Sequence, residues 1–246
     1  MANPFVFGPI DKVQATAGGN RRLRPWDIYE VKFVEAKYET FEGKKEENKG
    51  QIYEALTVRF ENDEGYYEER IFNPGEKGNE RFKNKNAEGH EYESASPMEK
   101  LRIFIAQMLT VLAPEKMPKM VELAPKVTSF KQLVEVFAKL LEGAKGKTTH
   151  LKLAGKTDSK TNRVVPCLPK FAGVSKKGEL FTADNFIGDK LFFSPYEEGK
   201  QKEYREAKPT DMEKNNPPVE ASVDDLPETE APQEEIDDFE GLLNNN

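Results

Sequence analysis

Hydrophobic and polar residues alternate along three segments in the first third of the chain. This period-two pattern covers residues 28–41, 52–61 and 66–72. Side chains at every second position of a β-strand share one face, so each segment is predicted to be a strand. A charged loop at residues 43–50 and turn-forming residues at 62–65 separate the three segments. Such connections favour an antiparallel meander.

Apolar residues change to a helical period after residue 96. Ser96 is a good helix N-cap, and Pro97 suits the first helical position. Apolar residues at helical spacing then predict a helical insert over about residues 97–144. Strand patterning resumes at residues 148–153 and 163–168, which are joined by a turn-rich segment and predict a second hairpin.

The resulting element order is strand, strand, strand, helical insert, strand, strand. The same order occurs in the oligonucleotide-binding fold (OB-fold), a five-stranded barrel. The predicted fold class is therefore mainly β with an α insert, namely a five-stranded OB-fold barrel with a helical insertion between strands 3 and 4. An unrelated α+β domain is the alternative.

Apolar periodicity ends at about residue 194, which divides the chain into a predicted OB-fold domain at 1–193 and a disordered linker and acidic tail at 194–246. The chain carries a net charge of −7, and residues 219–246 contain ten Asp or Glu and no Lys or Arg, so residues 1–218 carry +3. A mildly basic body with an acidic appendage is compatible with a nucleic-acid partner.

Several classes of function lack the residues that they need. The longest apolar run, at 103–113, is shorter than the roughly 20 residues that span a membrane. Residues 1–5 do not resemble a secretory signal, so we expect a cytoplasmic protein. Cys167, His90 and His150 leave a cysteine/histidine zinc site one ligand short, and we predict neither metal nor cofactor. No phosphate-binding glycine loop, metalloprotease motif or nucleophile elbow points to an enzyme.

Binding of single strands requires cations for the phosphates and aromatic faces for unpaired bases. The chain offers a basic segment before its single tryptophan, basic loops between strands one and two and between strands four and five, one face of strands two and three, and a polar flap at 81–85. The predicted DNA-binding residues are Arg21, Arg22, Arg24, Trp26, Lys44, Lys45, Lys49, Arg59, Tyr66, Arg70, Phe72, Arg81, Phe82, Lys83, Lys85, His150, Lys152, Lys156, Lys160 and Arg163. Trp26 is equally compatible with a core position, and the lysines with a solubilising surface.

The end of the chain sets a few apolar residues among many acids. Such a segment cannot fold alone, but its acids can occupy a basic groove when DNA is absent, and its apolar residues can dock in a partner. The predicted partner-binding residues are Ile236, Asp237, Asp238, Phe239, Leu242 and Leu243. A solubilising disordered terminus is the alternative.

With this element order and this ending, the chain resembles the single-stranded DNA-binding proteins of tailed bacteriophages. The resemblance covers the order of elements over about residues 28–168 and the motif Asp237-Asp238-Phe239. It implies binding and protection of single-stranded DNA during replication, recombination and repair in the bacterial host cytoplasm, with polymerase, helicase or primase as partners of the tail. The chain departs from the family by continuing past Phe239 and by its large helical insert.

Two other functions stay open at this point. A protein-interaction adaptor would show only weak, sequence-blind affinity for DNA, and a metal-dependent nuclease would cleave DNA only with a divalent cation. RNA satisfies the same stacking and phosphate contacts as DNA, so the residue pattern does not separate the two.

Overall fold

A five-stranded antiparallel sheet is the centre of the computed structural model, which describes residues 21–46, 48–85, 91–159, 161–169, 173–174, 180–181 and 185–206. In chain order the elements are β1 (Asp27–Glu42), β2 (Ile52–Asn62), β3 (Gly65–Phe72), β4 (Phe82–Lys85), β5 (Glu91–Ser94), α1 (Pro97–Leu112), α2 (Met117–Leu123), α3 (Phe130–Leu141), β6 (Thr148–Thr157), β7 (Val164–Cys167), β8 (Gly173–Val174), β9 (Leu180–Phe181) and α4 (Pro195–Glu206). The sheet has the order β3-β2-β1-β6-β7. The predicted mainly β class and the helices between the third and fourth strands of this sheet are confirmed.

A β-bulge divides β1 into two halves. The register with β2 shifts between Phe33 and Glu35, so one extra residue interrupts the alternation. Before the bulge Val31 and Phe33 face the core, and after it Tyr38 packs against the core. The change of parity turns Phe41 to the opposite face of the sheet.

One hydrophobic core joins the inner face of the sheet to the helices. Ser96 caps α1 in a reciprocal capping box with Glu99, and Ser129 caps α3, which lies against β1. The ring of Phe104 in α1 stacks on Phe186 with centroids 5.2 Å apart. The insert therefore forms part of the domain that contains the sheet.

The segment predicted to be a flexible flap forms a β-hairpin instead. β4 pairs with β5, and both belong to a second, four-stranded sheet. Arg81 ties the hairpin to α1, because its guanidinium lies 2.6 Å from Glu99 and 3.3 Å from Glu93. Phe82 is 49% exposed and its neighbour Lys83 is also exposed, so these two residues do not alternate between buried and exposed positions.

The folded part of the chain continues beyond the predicted boundary at residue 193. Ile187 bridges to Leu151 of β6, and α4 follows at Pro195–Glu206. The only residue that this helix buries is Glu197, so α4 lacks the apolar stripe by which a helix is recognised in a sequence. The predicted tail residues and Lys160 lie outside the described residues. Among the helices described, none has the length and apolar character needed to cross a membrane.

Candidate nucleic-acid interface

The face of β1, β2 and β3 that points away from the core carries aromatic and cationic side chains. Residues that are paired across antiparallel strands share a face, and the register pairs Thr57 with Arg70 and Glu61 with Tyr66. We call this surface the outer face, and its aromatic and arginine residues are Phe41, Tyr53, Arg59, Tyr66, Arg70 and Phe72.

Two arginines of the outer face lie over aromatic rings. The guanidinium of Arg59 is 4.5 Å from the ring centroid of Tyr66, and that of Arg70 is 4.8 Å from the ring centroid of Phe41. Phe41 also contacts Phe72 edge-on, with centroids 5.9 Å apart. Cation–π and edge-on contacts hold these half-buried rings in place on a rigid sheet. The four residues predicted on strands two and three therefore share one surface.

Acidic residues compensate the positive charge of the outer face. Arg70 lies 2.6 Å from Glu68, and Arg59 lies 3.8 Å from Glu61. The sequence places Glu68 on the same face as Arg70, and this ion pair is the result. Arg70 Nε is buried and finds no hydrogen-bond acceptor among the described residues. The outer face therefore supplies stacking surface more than net charge.

Glu39 holds a third cation of this face in place. Its carboxylate accepts a hydrogen bond from the Thr57 hydroxyl at 2.5 Å and lies 3.0 Å from the ammonium of Lys37. Burial raises the pKa of Glu39, but the hydrogen bonds from Thr57 and Lys37 outweigh it and hold the pKa below its usual value. Glu39 is therefore ionised at neutral pH.

A basic segment at residues 21–24, which we call the arginine arm, lies beside the outer face. Leu23 donates its backbone N–H to Tyr66, and Tyr66 donates its own to Arg21, both at 2.8 Å. Leu23 is buried, whereas Arg21 and Arg24 are exposed. The arm approaches β3 closely because Gly65 has no side chain: a Cβ there would lie 2.1 Å from the Arg21 carbonyl oxygen. The predicted basic segment is thus held next to a predicted stacking residue.

Trp26 follows the arm and lies against β6. A Cβ at Gly155 would be 2.2 Å from the indole Nε1, so the indole covers this glycine. Trp26 has a φ of 60°, a left-handed conformation that costs a non-glycine residue energy and that recurs at functional sites. Its carbonyl accepts a 2.7 Å hydrogen bond from Gln201 of α4. The indole is half-buried and lies outside the hydrophobic core cluster.

Exposed cations of two loops flank the sheet. Lys44, Lys45 and Lys49 lie in the loop that follows β1, and Lys49 is 3.5 Å from Glu46. Lys156 is exposed near the end of β6, and Arg163 is exposed in the loop that leads into β7. The predicted loop cations are therefore at the surface, apart from Lys160, which lies outside the described residues.

Other predicted contacts lie away from the outer face of β1–β3. Arg81 is engaged by two glutamates, Phe82, Lys83 and Lys85 lie on β4, and His150 lies on β6 with Nδ1 3.9 Å from Asp189. Lys152 is buried, although the sequence analysis predicts it to be a surface cation. It is 1% exposed, and its ammonium lies 2.8 Å from Glu197 of α4, so it is a buried ion-pair partner rather than a surface cation.

A polar group lies on the inner side of β3. Tyr67 donates a hydrogen bond to Glu69, and its oxygen interacts with the backbone N–H of Leu168, which follows β7. Burial raises the pKa of Glu69 to about 7, against the lowering effects of the Tyr67 hydrogen bond and of Lys156. This contact links the two edge strands of the five-stranded sheet, β3 and β7.

Comparison with known proteins identifies no relative of this chain, so the proposed function is argued from its residues. No protein-family model, curated protein or solved structure matches the chain. In the part of the chain that the structure describes, no three His, Cys, Asp or Glu side chains form a group able to hold a metal ion.

Phe41 and Tyr53 are members of the outer face that the sequence analysis missed. Phe41 pairs with Tyr53 across β1 and β2. Period-two counting from Phe33 places Phe41 on the core side, and only the bulge moves it outward. In β2 the even positions Leu56 and Val58 lie in the core, so the odd position Tyr53 lies on the opposite face, as the alternation in the sequence indicates.

Proposed function

We propose that this protein binds single-stranded DNA, without strong sequence preference and without catalysis, through the outer face and the arginine arm. The single observation that carries the proposal is the junction of the two at Tyr66, whose ring lies under Arg59 while its backbone bonds to the arm. This junction combines the aromatic surface that stacks unpaired bases with the cations that neutralise their phosphates.

A closed OB-fold barrel is part of the proposal. The order β3-β2-β1-β6-β7 is that of an OB-fold barrel opened between its third and fifth strands. The contact from Tyr67 on β3 to Leu168 beyond β7 supports closure at this seam. In such barrels the face of strands two and three and the adjoining loops bind oligonucleotides, which matches the position of the outer face.

The dimensions of the outer face suit several nucleotides. Tyr66 and Phe72 lie six residues apart on β3, which corresponds to about 20 Å at the usual rise of a strand. Each base stacked on an aromatic ring contributes about 1–3 kcal/mol. The arginine arm lies beside the Tyr66 end, while the loop lysines follow β1 beyond Phe41. Cations thus extend the binding surface at both ends of the aromatic row.

The proposed biological role is protection of single strands in replication, recombination and repair in a phage-infected bacterium. Residues 219–246, with their ten acids, would compete with DNA for the basic residues and recruit polymerase, helicase or primase. The support for this role is the charge segregation and the resemblance of the tail motif Asp237-Asp238-Phe239.

The test is a titration of unlabelled oligo-dT into the full chain at several salt concentrations, with duplex DNA and oligo-U as comparisons. The double variant Tyr66→Ala and Phe72→Ala should lose at least tenfold in affinity for oligo-dT, at about 1–3 kcal/mol per stacked base. Val121→Ala is the control, because Val121 is 66% exposed on α2, in the helical insert and away from the outer face.

Three outcomes would contradict the proposal. The first is absence of salt-sensitive binding to a labelled oligo-dT, and the second is equal affinity for duplex. The third is cleavage that requires a divalent cation, which would establish a nuclease instead. A chain ending at Pro218 should bind oligo-dT more tightly than the full chain, whereas equal affinity would exclude competition by the tail.

A further inference from the structure

A buried cation lies under α4, on the side of the sheet that faces away from the core. Lys152 pairs with Ile28 of β1, whereas the neighbouring pair, Leu151 and Tyr29, belongs to the core. Since successive side chains of a strand point to opposite faces, Lys152 lies on the same side of the sheet as the outer face. It is nevertheless 1% exposed.

The cover over Lys152 includes one carboxylate and two aromatic rings. Its ammonium lies 2.8 Å from Glu197 Oε2, 5.2 Å from the ring centroid of Phe193 and 6.0 Å from that of Phe192. The same carboxylate oxygen accepts hydrogen bonds from the backbone N–H and the hydroxyl of Ser194, at 2.8 and 2.9 Å. Three donors therefore converge on one anionic oxygen, an arrangement that also suits a phosphate oxygen.

Glu197 is ionised in this position. Burial raises its pKa, but the hydrogen bonds from Lys152 and Ser194 outweigh that effect and keep the pKa below the usual value. The contact is therefore a charge pair, and its attraction is offset by the desolvation of both groups.

Polar side-chain contacts hold α4 against the sheet. Besides the Lys152 pair, Gln201 donates to the Trp26 carbonyl at 2.7 Å, and Arg205 lies 3.5 Å from Asp27. Glu197 is the only residue that α4 buries. Elements with little buried apolar surface open at low free-energy cost, so we expect α4 to detach from the sheet more readily than the elements of the core.

Building on the proposed function, we propose that Lys152 is a phosphate site for single-stranded DNA that α4 keeps covered, with the Glu197 carboxylate in the place of a strand phosphate. Binding of a strand across the arginine arm and Trp26 brings phosphates to this end of β6. A phosphate then replaces Glu197 on Lys152, and α4 leaves the sheet. No covalent step is involved, because one anion replaces another.

The substitution that tests this exchange is Glu197→Gln, with Glu198→Gln as its matched control. The two glutamates are adjacent on α4, and Glu198 is exposed. Glu197→Gln should bind oligo-dT about tenfold more tightly at low salt, because the strand no longer has to displace a carboxylate from Lys152. Its salt slope should match that of wild type, since both proteins place the same number of phosphates on cations. Glu198→Gln changes the net charge equally and should alter affinity less than twofold. Equal effects of the two variants would overturn the proposal.

A second measurement uses the unaltered protein, so that it stands even if Glu197→Gln destabilises the fold. Amide hydrogen exchange at residues 195–206 should accelerate at least tenfold when oligo-dT saturates the wild-type chain, because α4 detaches. Unchanged or slower exchange there, under saturating oligo-dT, would overturn the proposal.

The failure of this proposal is distinguishable from failure of the proposed function. A wild-type chain that does not bind oligo-dT would refute the function itself. A chain that binds oligo-dT while α4 keeps its protection and the two glutamine variants behave alike would refute only the covered phosphate site.

Discussion

Replacing Gly65 by alanine tests the arginine arm directly. The added methyl group would lie 2.1 Å from the Arg21 carbonyl oxygen and 3.0 Å from its carbonyl carbon, which are backbone atoms that cannot rotate aside. We expect the arm to leave β3, because no side-chain adjustment relieves this overlap. The three arginines of residues 21–24 would then no longer be held beside Tyr66.

The magnitude follows from what the arm loses. Two backbone hydrogen bonds with Tyr66 are broken, each contributing about 1 kcal/mol, and Leu23 is released from the core, where its burial contributes about 2 kcal/mol. We therefore expect a loss of about 4 kcal/mol in the free energy of unfolding, less where the arm repacks. If all three arginines contact phosphates, the slope of log affinity against log salt should become shallower by about 2.

The assay combines urea denaturation with oligo-dT titration between low and physiological salt. Gly143→Ala is the control, since an added methyl group at Gly143 meets no atom within 4 Å in the described structure. Both variants are first shown to be folded by circular dichroism. A folded Gly65→Ala protein with the wild-type salt slope would refute the assignment of phosphate contacts to the arm.

Three further predictions concern the inner side of β3, the second sheet and Trp26. Burial holds the pKa of Glu69 at about 7, so the stability that depends on its neutral form is complete below pH 4.5 and is lost as the pH rises through 7. The free energy of unfolding of Glu69→Gln, measured by urea denaturation, should therefore rise relative to that of wild type by on the order of 2 kcal/mol between pH 5 and pH 8. A constant difference between the two proteins over this pH range would contradict the prediction. The hydrogen bond from Arg81 lowers the pKa of Glu99 to about 2, so Arg81→Met should lower the melting temperature at pH 7. The difference in melting temperature between variant and wild type should vanish as the pH falls from 4.5 towards 2. A difference that stays constant with pH would exclude the ion pair as its cause. Gly155→Ala should shift Trp26 emission to longer wavelength, because the methyl group displaces the indole into water, whereas an unchanged spectrum would mean that the indole does not rest on this glycine.

The order of the main elements was predictable because the apolar residues of each element recur with the period of a strand or of a helix. Strands that are buried on one face must alternate, and α1 and α3 must repeat apolar residues at helical spacing to reach the core. Ser96 and Pro97 also placed the start of α1 correctly. These features are local, so a single sequence reveals them.

The composition of the outer face depended on a non-local feature. The bulge between Phe33 and Glu35 is defined by the register with β2, and no residue type near it announces an extra residue. A count of alternate positions therefore misplaces Phe41, the ring under Arg70. Strands β2 and β3 contain no such shift, and their register gives the predicted residues of these strands one common face: Arg59, Tyr66, Arg70 and Phe72.

Ion pairs explain the remaining differences. In the sequence, Lys152 and Arg81 look like surface cations. Their partners, Glu197 for Lys152 and Glu99 for Arg81, are distant in sequence and come close only in the folded chain. For the same reason α4 was not predicted: a helix anchored by a charge pair has no apolar stripe. Long-range electrostatic pairing leaves no periodic trace in a sequence.

The arginine arm and the two residues after it connect two strands of the sheet that are not neighbours. Residues 21–26 bond to Tyr66 on β3 and then cover Gly155 on β6, two strands that β2 and β1 separate in the sheet. Residues 21–26 therefore link β3 and β6, two strands that have no hydrogen bonds to each other. Single-stranded DNA bound to the arm would therefore also stabilise the sheet against unfolding. The melting temperature of the protein should rise with the concentration of the DNA, as mass action requires.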